Sequence, residues 1–291
     1  MSYTQTYIPG KPSLAQLLRK IDDISTLPQI ALRIMEVANN PNAGAADLKE
    51  VMECDAALSA RVLRCVNSSA YAVRVRITNL QQAIAFLGLK QIRNLAMTAG
   101  VAEMFRKETR IGSYRRSELW RHLVAVGICA RMIAMRRRMQ NFEDAFLGGL
   151  LHDIGIILED QYAHSAFEKI LTTLNPAEET LCEAELRVLE FDHTVLGEKV
   201  TENWKFPEIL RRTIRSHHHA AAYSGPDAAL VQCVEAANLI CTLKGISAVG
   251  MNLLRFSPAT FAALDLKRDD IAVLSEDLDV ELSRNASLFA M

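Results

Sequence analysis

Apolar residues recur along this chain mostly at three- and four-residue intervals, the spacing of helices that bury one face. Leu14, Leu17, Leu18 and Ile21 form one stripe, and Ile30, Ile34, Val37 and Ala38 the next. Pro28 suits the first turn of that second helix, and Asn39-Asn40-Pro41 suits its end. Asp47, with Glu50 three residues later, reads as another helix start. Asp55 is placed to cap a helix carrying Leu58, Val62, Leu63 and Val66. Thr78 and Gln81 have capping-box spacing ahead of Leu80, Ile84 and Leu87, and Gly88 closes that helix. A further helix spans about Gln91 to Arg106.

The stretch from Lys107 to Ser117 is polar, contains Gly112 and breaks the pattern. It predicts a boundary. The expected organisation is a tail over 1–13, a helical subdomain over 14–110, a second over 115–245 and a C-terminal extension over 246–291. Helices are expected at about 117–138, 142–157, 160–174, 177–190, 193–203, 207–217 and 227–243. Val73 to Ile77 alternates like a strand, but it is short and follows a turn, so it reads as a loop. Beyond Gly250 come Phe261 and Leu264, then an acidic end from Asp269 to Glu281. That end is either a docked helix or a partly mobile extension. The fold class is all-α.

Composition adds bounds. The 291 residues are 50% hydrophobic and 23% charged, as in a soluble globular protein. No apolar run reaches the roughly 18–20 residues a membrane span requires. Met1 to Pro12 lacks the layout of a signal peptide. The six cysteines form no CxxC pair and read as reduced thiols, which gives a cytoplasmic expectation. Net charge is −1, so no global attraction to nucleic acid is expected, and no nucleic-acid motif is present. Locally, Arg106 to Arg138 is basic and Glu159 to Asp192 is acidic. Helix faces that complement one another within the fold explain this better than a basic patch for a nucleotide.

The candidate chemistry lies in Gly148-Gly149-Leu150-Leu151-His152-Asp153-Ile154-Gly155. Two residues that are costly to bury stand in an apolar helical run, and a metal ion would offset that cost. Adjacent helical residues point about 100° apart, so both reach one ion only near a helix edge or end. Gly155 leaves room for a close approach. His122, His193, His217 and His218 would converge from other helices, a common way to build a site in a bundle. The plainer alternative is a helix-terminus pair, with Asp153 accepting hydrogen bonds. His164 and His219 get only a surface reading.

His122 followed by His152-Asp153 resembles the signature of the HD phosphohydrolases. Asp192-His193-Thr194-Val195-Leu196-Gly197, Trp204-Lys205-Phe206-Pro207-Glu208-Ile209 and His217-His218 resemble the HDOD branch and its relative, the HD-GYP cyclic di-GMP phosphodiesterases. Leu27-Pro28, Asp55-Ala56-Ala57-Leu58, Leu63-Arg64-Cys65-Val66-Asn67-Ser68 and Ala83-Ile84-Ala85-Phe86-Leu87-Gly88 resemble the HDOD pattern. The resemblance covers roughly 14–245. It implies an all-helical fold, an HD-like bundle for the second subdomain, and a signalling role without established catalysis.

Departures from the hydrolase pattern shape the expected function. The resemblance implies a later metal-binding aspartate in Val234-Glu235-Ala236-Ala237-Asn238-Leu239, where this chain has Asn238. The HD-GYP pattern implies a lysine where Ile156 stands, and a Gly-Tyr-Pro that is missing after His217-His218. The expectation is a regulatory domain whose metal set is His122, His152, Asp153, His193, His217, His218 and Asn238. Its ion would be iron, manganese, zinc or nickel. The partner would be a separate signalling protein. The alternative is a metal-dependent phosphodiesterase acting on a cyclic dinucleotide, with Asp153 catalytic. An exposed apolar groove between the halves would instead suggest a peptide-binding surface.

Overall fold

A computed structural model describes residues 12–24, 29–40, 42–251, 253 and 258–290. Pro28 and Pro41 lie outside the described residues. The N-terminal helices are α1 (Leu14–Ile24), α2 (Gln29–Asn39), α3 (Ala45–Glu53), α4 (Ala56–Val66), α5 (Leu80–Leu87) and α6 (Leu89–Ala102). Leu17, Ile21, Ile34 and Met35 are buried, so the predicted stripes face the core.

Two helix starts differ from the sequence reading. The α3 helix begins after Gly44, whose N–H donates to the Asp47 carboxylate at 2.7 Å. Asp47 is therefore the third helical residue and not the cap. The side chain of Asn79, not Thr78, caps α5 by accepting from the Gln82 N–H at 2.9 Å. Asn is a better cap than Thr, so the start falls one residue later than the Thr78 spacing suggests. Asp55 caps α4 as its position predicts. Val73 to Ile77 forms a loop.

The Lys107 to Ser117 stretch contains a small antiparallel hairpin, β1 (Arg110–Ile111) paired with β2 (Tyr114–Arg115). Gly112 turns it with φ of 56°, a region that favours glycine. Strands this short carry no detectable alternation.

Helix α7 (Arg116–Arg136) follows directly and is buried on all sides from Leu119 to Ala130 apart from Arg121. A helix apolar all round belongs at the centre. Helix α8 (Phe142–Leu151) packs along it, so tightly that a Cβ on Gly149 would lie 2.7 Å from Gly127 Cα. Around this pair stand α9 (Ile154–Tyr162), α10 (His164–Thr173), α11 (Leu181–Leu189), α12 (His193–Asn203), α13 (Glu208–Ser216) and α14 (Ala228–Leu243).

The helix expected over 142–157 is two helices, broken at His152-Asp153. Asp153 has φ −102° and ψ 23°, in the bridge region between sheet and helix. An apolar run gives no sign of such a break, because both new helices are as buried as one would be.

The tail docks as α15 (Pro258–Ala263), α16 (Arg268–Arg284) and α17 (Ala286–Phe289). Trp120 Nε1 donates to the Phe289 carbonyl at 3.1 Å, and Lys244 Nζ to the Ser275 carbonyl at 2.9 Å. Four side chains of the basic stretch pair with acids of other elements: Arg116–Asp160, Arg131–Glu143, Arg136–Asp270 and Arg137–Asp265. No described helix is long and apolar enough to cross a membrane.

Candidate metal centre

Five elements deliver the site. His122 lies near the start of α7, His152 and Asp153 at the α8–α9 break, and His193 opens α12. His217 ends α13, with His218 beside it. The break resolves the geometric problem of neighbouring residues. Because the chain turns between the helices, both His152 and Asp153 face inward. Gly155 then lets α9 rest on α12, since a Cβ there would lie 2.0 Å from the His193 carbonyl oxygen.

Four imidazoles surround one carboxylate. His122 Nε2 is 3.6 Å and His152 Nε2 3.2 Å from Asp153 Oδ2. His193 Nε2 is 3.3 Å and His217 Nε2 3.1 Å from Asp153 Oδ1. His218 Nε2 lies 3.0 Å from His193 Nε2. His122, His152, Asp153, His193 and His217 are all buried, and His218 is half-buried. The donor atoms form two sets that share Asp153: His122 and His152 on one side, His193, His217 and His218 on the other.

The outer ring nitrogens are anchored. His122 Nδ1 pairs with the Ile246 carbonyl at 2.8 Å, His152 Nδ1 with Gly149 at 2.7 Å and His217 Nδ1 with Ile214 at 2.9 Å. A carbonyl only accepts, so each Nδ1 carries the proton and each Nε2 presents a lone pair. His193 Nδ1 instead pairs with Glu185 Oε2 at 2.7 Å. Among the described residues, His122 Nε2, His152 Nε2, His217 Nε2 and Asp153 Oδ1 are buried without a hydrogen-bond partner. Buried polar atoms are rarely left this way. Lone pairs converging on a carboxylate are what a divalent transition-metal ion requires, so the donor set fits a metal.

The electrostatics agree. Burial pushes the Asp153 carboxyl up, but the adjacent His152 and the other imidazoles that face it outweigh burial and hold it well below the usual range. Burial lowers His193, and Glu185 and its neighbours more than reverse that. Burial holds His217 below its ordinary value. It holds His218 well below, aided by the His217 and His193 rings. The latter two rings are thus available as neutral ligands.

A cavity of about 560 Å³ opens onto Asp153, His193, His217 and His218. Asn238 and Ile156 line it. Asn238 is buried, and its Oδ1 lies 3.4 Å from Thr242 Oγ1. The structure therefore gathers His122, His152, Asp153, His193, His217 and His218 at one centre, with Asn238 on the wall of its cavity. His219 is exposed at the cavity mouth, and His164 pairs elsewhere, with Asp160.

Sequence reasoning missed three groups. Glu185 is fully buried behind His193, Cys182 stands within ligand distance of both, and Glu159 is buried nearby with neither oxygen hydrogen-bonded among the described residues. Burial and the adjacent Glu185 push the Glu159 carboxyl well above its ordinary value. Glu185 on α11 and Glu159 on α9 were visible in sequence only as acids, and there they resemble any solvated acidic face.

An uncharacterized protein of Treponema pallidum is 27% identical over 210 residues, which are 70% of this chain and 39% of that relative. The chain thus spans about two-fifths of the curated relative it matches. An HDOD domain protein of unknown function from Geobacter sulfurreducens superposes with a TM-score of 0.75 at 26% identity, covering 94% of this chain and 96% of that one. A Marinobacter aquaeolei protein named for signal transduction shares the fold at a TM-score of 0.75 and 24% identity, covering 96% of this chain and 64% of that one. The HDOD domain profile matches residues 24–220, about two-thirds of the sequence, and the chain belongs to the HDOD domain family.

Proposed function

We propose that this chain is a regulatory signalling protein that holds a transition-metal ion as a structural or sensing element and does not hydrolyse phosphodiesters. One observation carries the reading. The Nε2 atoms of His122, His152 and His217 converge with Asp153 Oδ1 without hydrogen-bond partners among the described residues, while Asn238 and Ile156 line the cavity where the hydrolase pattern implies a carboxylate and a lysine. A neutral amide binds a divalent ion weakly and does not offset its charge. An isoleucine offers nothing to a phosphate oxygen.

A divalent ion at this centre would supply positive charge to Asp153 and a partner to the free Nε2 atoms of His122, His152 and His217. His122, His152, His193, His217 and His218 would hold it. Iron, manganese, zinc and nickel all suit such donors. The ion's occupancy is then the state that a separate signalling partner reads. The second reading is a phosphodiesterase on a cyclic dinucleotide, with Asp153 orienting the attacking water. The cavity that reaches Asp153 favours it.

The deciding measurement is metal content of protein purified without chelator, followed by cleavage of a cyclic dinucleotide with added manganese or iron. The expected result is bound metal, no turnover, and metal lost in Asp153→Ala. Metal-dependent turnover that disappears in Asp153→Ala would establish the second reading instead. Protein that takes up no ion would remove the metal from both.

A further inference from the structure

The two sides of Asp153 are built differently. Oδ2 faces two imidazoles, at 3.2 and 3.6 Å. Oδ1 faces two at 3.1 and 3.3 Å, with His218 as a third donor in reach. The backing of the rings differs as well. His122, His152 and His217 rest on neutral backbone carbonyls. His193 alone rests on a carboxylate, Glu185. A hydrogen bond to an ionised acceptor is about twice as strong as a neutral one, and it makes the ring a better donor to an ion.

Resting on the metal-centre reading, we infer that the two ion positions are unequal. The Oδ1 side holds its ion more tightly, and Glu185 is the positioning residue that sets the difference. Glu185 Oε2 accepts from both the ring Nδ1 of His193, at 2.7 Å, and its backbone N–H, at 2.9 Å. One carboxylate thus locks the ring and the chain that carries it. Gly155 closes on the other side of the same residue, against the His193 carbonyl. No other histidine of the centre is held by a side chain at its outer nitrogen and by a close-packed glycine at its backbone.

Glu185 is also fully buried, beside a second buried acid, Glu159. Buried charge is costly unless positive charge lies close. The His193 ring is the partner that Glu185 has, and an ion on the far face of that ring would add its positive charge. The Oδ2 side has no such acid behind either imidazole. The cavity opens onto His193, His217 and His218, so the tightly held ion is also the one a ligand entering the cavity can reach. Retention and access therefore fall on the same position, as a reading site requires.

The test is an equilibrium titration of the metal-free full chain with Zn²⁺ against a competing chromophoric chelator. Two binding steps are expected, separated by at least about tenfold in affinity. His122→Ala should remove the weaker step and leave the tighter one. Glu185→Gln keeps the size and loses the charge. It should weaken the tighter step by about 10–100-fold and leave the weaker one in place. A purely structural role for Glu185 would instead shift both steps together. If Glu185→Gln does not fold, His122→Ala and His217→Ala decide the matter, since only His217→Ala should remove the tighter step. Two equal steps, or a tighter step that survives His217→Ala and disappears in His122→Ala, would overturn the inference while leaving the metal centre standing. No zinc bound at all would overturn the centre and the inference together.

Discussion

Two buried aspartates stand at opposite ends of α9, and the protein treats them differently. Asp160 is finished by its neighbours. Its Oδ2 accepts from the Tyr114 hydroxyl and from Arg116 Nε, each at 2.8 Å, and its Oδ1 pairs with His164 at 3.1 Å. Asp153 is surrounded by as many polar groups, yet its Oδ1 and three of the facing Nε2 atoms lack hydrogen-bond partners among the described residues. Burial and residue type are the same. The difference is that one cluster balances its donors and acceptors, while the other sets lone pairs against lone pairs. A closed cluster is structural. An open one of this composition is suited to hold a cation.

The comparison is most sharply broken by removing each carboxylate in turn. Asp160→Ala leaves Arg116 buried without its counter-charge and Tyr114 without its acceptor. A loss of about 3–5 kcal/mol is expected, which chemical denaturation will read directly. Its metal content, measured on folded protein, should not change. Asp153→Ala should do the reverse. Metal content falls to background, and the stability lost by the metal-free protein is smaller than in Asp160→Ala, because no buried guanidinium is left without its counter-charge. Equal destabilisation by the two substitutions would erase the distinction between the clusters.

A smaller effect separates packing from ligation. Gly149 and Gly155 both sit where a Cβ collides with backbone, 2.7 Å from Gly127 Cα and 2.0 Å from the His193 carbonyl oxygen respectively. Either alanine substitution overpacks the bundle and should cost about 1–3 kcal/mol or more. Gly155→Ala displaces His193, on the Oδ1 side, while Gly149→Ala presses on α7 and on the carbonyl that anchors His152, both on the Oδ2 side. Gly155→Ala should weaken the tighter step of zinc binding, whereas Gly149→Ala should lower thermal stability and leave that tighter step intact. Affinity lost equally in both would mean that the centre responds to general loosening and not to the seat of His193.

How much of this was legible in the chain depends on the kind of signal. His152-Asp153 stood out because polar residues in an apolar run have no cheap explanation, the other histidines were candidates to converge on it from separate helices, and the HDOD-like motifs contain them. The stripes through Leu17, Ile21 and Ile34 were legible because helical periodicity is a local property. The break at Asp153 was not, since Leu151 and Ile154 are buried whether one helix or two pass through them. Glu185 was hidden for the opposite reason. It sits among acids that look solvated, and only the tertiary fold turns it onto His193. The hairpin at Arg110 and Arg115 was too short to alternate.

The smallest expected effect concerns protons. Burial holds His218 well below its ordinary value of 6.5, with the His217 and His193 rings adding to the shift. An unfolded chain would protonate this ring near 6.5, while the folded, metal-free protein keeps it neutral. Below about pH 6.5 the unfolded state therefore binds the extra proton, and stability falls with acidification. Burial lowers His217 in the same direction, and His193, which is raised, acts in the opposite one by favouring the fold at low pH. His218→Asn removes one contribution and leaves the other two. The drop in melting temperature of metal-free protein from about pH 7.5 to 5.5 should be smaller in the variant than in the parent. An unchanged drop would mean that His218 titrates as freely as an exposed ring. It would then be a poor candidate for the third donor on the Oδ1 side, and the contrast between the two faces of Asp153 would rest on Glu185 alone.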